Sequence, residues 1–150
     1  MGPLELPRVE RESERFLADV VAGLSAPQKT IPAKWLYDAR GCALYELITE
    51  LPEYYPTRTE LGILDAHGAD IAAAIGPNAL VFEYGAGSGQ KTGRLLEVLR
   101  RPAAYLPVDI ARGALLATAE ALARRFEGLP IRPVCADFGE PFALPVEGVP

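Results

Sequence analysis

Apolar positions recur at helical spacing through the first half of the chain and gather into short runs through the second, and the change of pattern falls near residue 79. Phe16, Leu17, Val20, Val21 and Leu24 share one face of a helix predicted over 10–24, with charges on the opposite face. After a polar, proline-bearing stretch over 25–34, Leu44, Leu47, Ile48 and Leu51 repeat that spacing until Pro52, which predicts a second, short helix. Thr57-Arg58-Thr59-Glu60 has the pattern of a capping box and predicts that a third helix starts there. Leu61, Leu64, Ile71 and Ile75 are its inward positions, Gly68 is expected to weaken it, and Gly76-Pro77-Asn78 ends it.

From residue 79 onward, short apolar runs alternate with amphipathic segments, the signature of βαβ units and a parallel sheet. Strands are expected over 79–84, 104–108 and 131–135, with helices over 90–99 and 111–126 between them. Pro107 and Pro133 fall inside two of these strands, where each deletes a ladder donor. The expected fold class is therefore α/β, an incomplete parallel sheet of about three strands preceded by a helical segment. The boundary is expected between residues 76 and 77. A doubly wound nucleotide fold closes its sheet with further strands beyond the first, and the pattern after residue 135 supplies none.

Charge and cysteine usage narrow the function classes. The 150 residues carry a formal net charge of -5 with basic residues scattered, which argues against an extended phosphate-binding face and hence against nucleic acid. The N-terminus has no apolar signal region and no apolar run reaches the roughly 18 residues of a membrane span, so no membrane association and a cytoplasmic protein are expected. Cys42 and Cys135 are too few and too far apart for a zinc cluster, and His67 is the single histidine. Neither a metal site nor a Ser-His-Asp triad can be assembled from that set.

Candidate chemistry begins at Phe82-Glu83-Tyr84-Gly85-Ala86-Gly87-Ser88-Gly89-Gln90-Lys91-Thr92, which sets three glycines at alternate positions between a strand and a helix. Missing side chains there let a ligand approach the backbone. A tight turn alone accounts for one glycine but poorly for three. Dinucleotide sites use Gly-x-Gly-x-x-Gly, and Gln90 occupies the place of that third glycine. The observed Gly-x-Gly-x-Gly, preceded by Glu83, looks like the first motif of class I S-adenosylmethionine-dependent methyltransferases. Glu83 is compatible with the cationic group of such a ligand, or with capping of backbone amides. Asp109 follows the second strand at the distance of a ribose-binding acid, and it can equally cap the next helix. Asp137 and Phe138 follow the third strand, where an aspartate can accept from an adenine amino group and an aromatic can cover the ring; an ordinary turn is the alternative. Lys91 opens a helix, where a cation is unfavourable unless an anion such as a ligand carboxylate lies nearby.

The segments Lys34-Trp35-Leu36-Tyr37-Asp38 and Leu51-Pro52-Glu53-Tyr54-Tyr55-Pro56-Thr57-Arg58-Thr59-Glu60, together with the Gly85 turn and Cys135-Ala136-Asp137-Phe138, resemble the L-histidine Nα-methyltransferases of ergothioneine biosynthesis. The resemblance spans most of the chain from Phe16 to Phe138. It implies a Rossmann-like class I methyltransferase sheet, with S-adenosyl-L-methionine held by Gly85, Lys91, Asp109, Asp137 and Phe138. It further implies that Tyr54 contacts substrate histidine, with Tyr37 a second candidate, and that the helical segment contributes to the substrate pocket. The expected reaction is methylation of the α-amino group to trimethylhistidine. Related enzymes continue through further strands and a substrate-binding region, so the expected partners are histidine and a C-terminal half. Two other readings stand beside this one. The chain is a noncatalytic remnant or half of a split protein that binds S-adenosylmethionine, or it is a nucleotide-dependent oxidoreductase, against which Gln90 speaks.

Overall fold

A computed structural model describes residues 9–146. The chain forms two compact units, Met1–Asp38 and Ala39–Pro150.

In the smaller unit, helix α1 runs Val9–Ser25 and is followed by a single 3-10 turn at Ala33–Leu36. Trp35 ties the two together. Its indole Nε1 donates to Asp19 Oδ2 at 2.8 Å, its ring meets Phe16 edge-on at 5.1 Å, and Lys34 pairs with the same carboxylate at 3.3 Å. Gly23 is required by close approach, because a Cβ there would come within 2.0 Å of the Thr30 carbonyl oxygen.

In the larger unit, α2 (Ala39–Thr49) and α3 (Tyr55–Ile75) precede an alternation of β1 (Leu80–Tyr84), α4 (Gln90–Val98), β2 (Ala104–Asp109), α5 (Arg112–Arg125) and β3 (Val134–Cys135). The strands are parallel in the order β1-β2-β3, with Leu80 opposite Ala104 and Val108 opposite Val134. This is the α/β class that the alternation of patterns predicts. The five residues from Ala104 to Val108 in the central strand are buried, and Leu96 of α4, Leu99 just past its end and Leu122 of α5 pack with Tyr105.

Both prolines are accommodated by the alternation of a parallel ladder, in which odd positions of β2 point their N–H and C=O toward β3. Tyr105 receives from Arg132 and donates to Pro130, which makes an isolated bridge to Ile131. Pro107 points the same way, opposite Pro133. The ladder loses one donor there, and the third strand splits into that bridge and the pair Val134–Cys135. Pro133 directs its missing donor to the outer edge, where no described strand would have used it.

Two local expectations are corrected. The third helix starts at Tyr55, and Tyr54 caps it without a side-chain bond, so the Thr57–Glu60 box does not form. Pro56 in the first turn, with its φ already helical, starts the helix two residues earlier. Ile75 is exposed, not inward. Val98, the last residue of α4, lies against Gly68, and Ile75 sits two turns beyond it. Gly68 is buried beside Val98, where an added Cβ would stand 3.4 Å away at ordinary contact distance, so packing tolerates this glycine without requiring it.

Candidate functional site

All three parallel strands end at one edge, the carboxyl edge at which open α/β sheets bind their ligands. Tyr84, Asp109 and Cys135 are the last residues of their strands. The glycine turn leaves β1 there and is anchored from below: Gly85 N–H donates to the Val108 carbonyl at 2.8 Å, and the buried Thr118 of α5 donates to the Gly87 carbonyl at 2.8 Å.

The three glycines have different tasks. All have left-handed backbones, with φ of 68°, 49° and 70° at Gly85, Gly87 and Gly89. A Cβ on Gly89 would stand 2.6 Å from Thr118 Cγ2, so this glycine is demanded by packing against α5. A Cβ on Gly85 meets nothing within 4 Å, and one on Gly87 only the Gly85 carbonyl at 4.0 Å. These two therefore present bare backbone to open space. A nucleoside-bearing ligand needs that open cradle, and the residues present fit it.

Asp109 binds one backbone amide just before α5 and another in the glycine turn. Its Oδ1 accepts from Ala111 N–H at 2.8 Å, at the start of α5, and its Oδ2 accepts from Gly87 N–H at 3.3 Å. It thus couples the glycine turn to the end of β2. Asp137 opens a turn in which its Oδ1 accepts from Gly139 N–H at 3.0 Å. Phe138 is exposed and meets Tyr84 edge-on at 5.4 Å, which brings the ends of β1 and β3 into one aromatic group with Phe142.

Lys91 pairs with Glu60 of α3 at 2.9 Å. One turn further, Arg94 pairs with Asp65 at 2.5 Å, and near the end of α4 Val98 lies on Gly68. Positions rise together on both helices, so α3 and α4 run side by side in the same direction. The start of α3 therefore lies at the same end as the glycine turn. Tyr54, the residue capping α3, stands at that end, its hydroxyl 2.8 Å from that of Tyr45. Tyr37 belongs to the smaller unit, at the end of the 3-10 turn.

The sequence does not single out Arg58, and the partners of Glu60 and Glu83 are not legible in it. Arg58 donates to the carbonyls of Leu51 at 2.8 Å and Pro52 at 2.6 Å and reaches that of Tyr54 at 3.4 Å. It ties down the backbone that presents Tyr54; the dense Pro and Tyr run ahead of it is a signal of a fixed loop, but nothing local names the arginine as its clamp. Glu60, read as a capping residue, is the partner of Lys91. Glu83 accepts at Oε2 from Tyr105 Oη at 2.6 Å and from the Thr92 hydroxyl. Burial and this carboxylate push the Tyr105 phenol well above the ordinary tyrosine value, so it stays a protonated donor. No helix among the described residues is long and apolar enough to cross a membrane.

Residues 16–148 match the model of a family described as histidine-specific methyltransferase, SAM-dependent. The chain is 45% identical over 134 residues to histidine N-alpha-methyltransferase of Mycolicibacterium smegmatis, covering 85% of this chain and 40% of that protein. It is 44% identical over 125 residues to the enzyme of the same name from Mycobacterium tuberculosis, covering 81% and 39%. A 4-dimethylallyltryptophan N-methyltransferase of Claviceps purpurea is 31% identical over 102 residues, covering 66% and 30%. The chain spans about 40% of the length of the first of these relatives.

Proposed function

The chain belongs to the histidine-specific, S-adenosylmethionine-dependent methyltransferase family, and from that premise we propose that it supplies the methyl-donor site, and one wall of the acceptor site, of an enzyme that methylates the α-amino group of L-histidine. The product is trimethylhistidine, on the route to ergothioneine, and the fold is the incomplete Rossmann-like sheet of class I methyltransferases.

The observation that carries this reading is the parallel alignment of α3 with α4, which sets Tyr54 and the bare backbone of Gly85 and Gly87 at one end of the unit. Gly85, Lys91, Asp109, Asp137 and Phe138 would hold S-adenosylmethionine, and Tyr54 would contact histidine. When bound, that cofactor supplies a methyl group on a sulfonium, a leaving group that needs no acid. The residues of the chain then have to orient and desolvate a neutral amine for in-line attack, not to move a proton at the leaving atom. Asp109 would accept from ribose hydroxyls while keeping its bond to the turn. Lys91 would meet the ligand carboxylate in place of, or together with, Glu60. Amine deprotonation is left to solvent or a weak base.

S-adenosylhomocysteine at about 100 times its dissociation constant should stabilise the protein by about 2.7 kcal/mol and raise its melting temperature, while NAD should not. The reverse ranking would reject the donor site in favour of an oxidoreductase. A second reading, half of a split protein, is favoured by the outer edge of β1, which has no strand partner among the described residues. Histidine methylation by this chain alone would exclude it; methylation only after adding the remaining length of a family member would support it.

A further inference from the structure

Glu83 lies two residues before Gly85, and three elements converge on one of its oxygens. Tyr105 reaches it from β2 and the buried Thr92 from the first turn of α4, both as hydroxyl donors to Oε2. Two donors saturate the lone pairs of that oxygen. Among the described residues Oε1 has no protein donor, and because no buried side-chain oxygen there lacks a partner, Oε1 keeps access to solvent. A half-buried carboxylate with one oxygen doubly bonded and the other unpaired is a poor way to stabilise a fold, since burying its charge costs more than an apolar contact would. It is a good way to present one anionic oxygen in a fixed direction.

Resting on the donor-site reading above, we infer that Tyr105 and Thr92 are positioning residues: their hydroxyls clamp Oε2 of Glu83 so that Oε1 receives the ammonium group at the amino-acid end of the methyl donor. Without either hydroxyl the carboxylate turns, and the ammonium loses a charged partner. The clamp acts on that end of the ligand only. The nucleoside end is held elsewhere, at Asp109, Asp137 and Phe138.

Two ligands separate the ends. S-adenosylhomocysteine carries the ammonium, whereas 5′-methylthioadenosine keeps the nucleoside and lacks the amino-acid end. Titration calorimetry of wild type, Thr92→Val, Thr92→Ser and Tyr105→Phe should show about tenfold weaker S-adenosylhomocysteine binding for the Val and Phe variants. Thr92→Ser should restore it, and 5′-methylthioadenosine affinity should stay within about twofold throughout. In a Glu83→Gln background, Thr92→Val should cost no further affinity, because the residue acts through Glu83. Equal losses for both ligands, an unchanged S-adenosylhomocysteine affinity, or additivity with Glu83→Gln would overturn the clamp. Failure of the wild type to bind either ligand would instead overturn the donor-site reading. If Tyr105→Phe does not fold, the Thr92 pair decides the question alone.

Discussion

From Ala104 to Val108 the central strand is buried without interruption, whereas α2 buries no residue and α3 only Gly68 and Ala72. Both regions reach the end of the unit that carries the glycine turn, yet they are held by different forces. The glycine turn hangs on a strand packed on both faces and on Thr118 of a helix that packs against it. The Tyr54 end hangs on hydrogen bonds at the surface, three from Arg58 to backbone carbonyls, and on the exposed ion pairs between α3 and α4. The glycine-turn side is therefore fixed by burial, and the Tyr54 side by polar contacts that water and salt can compete with.

The largest test of this difference compares equivalent truncations. Leu106→Ala should cost about 2–5 kcal/mol in urea unfolding, and Leu47→Ala on α2, where the leucine is 60% exposed, within about 0.5 kcal/mol. Similar costs at the two sites would break the comparison.

Next in size are the glycines. Gly89→Ala should lose about 2 kcal/mol or more, because left-handed strain adds to a collision with Thr118. Gly85→Ala meets only the strain and should lose about 1 kcal/mol, while S-adenosylhomocysteine binding falls in both. A Gly85 variant that binds normally would show that its open face is not the cradle.

Arg58→Ala should cost about 1 kcal/mol and speed hydrogen exchange around residues 51–55, leaving the sheet amides unchanged. Spread of that effect into β1 would mean the two regions are one cooperative unit. The smallest effect belongs to Lys91 and Glu60, each about half exposed. A double-mutant cycle should give a coupling below about 1 kcal/mol that disappears at about 1 M salt, and a coupling that survives salt would place this pair with the buried glycine-turn side.

How far the sequence reached follows the same division. The strands and their flanking helices were legible because uninterrupted apolar runs require burial on both faces wherever they occur. The shortened third strand was not, since it depends on Pro107 facing Pro133 across a register that only pairing creates. The capping box failed because a local pattern competed with a helix start set by Pro56 and with an attractive cation, Lys91, 31 positions away.

Glu83 shows the limit at a single residue. Its proximity to the glycine turn is written in the chain, and so is a need for a partner. That Tyr105 and Thr92 supply it, both on one oxygen, is decided only when β1, β2 and α4 pack together.

The sequence by itself determined the α/β class, the place of the glycine turn and the family, because periodicity, backbone freedom at glycine and short motifs are properties of neighbouring residues. Only the tertiary structure decided which glycine faces open space and which faces α5, what Lys91 and Arg58 hold, and that the start of α3 meets the start of α4. Those are distances between residues far apart in the chain, and they exist only once the sheet and its helices have closed on a common core.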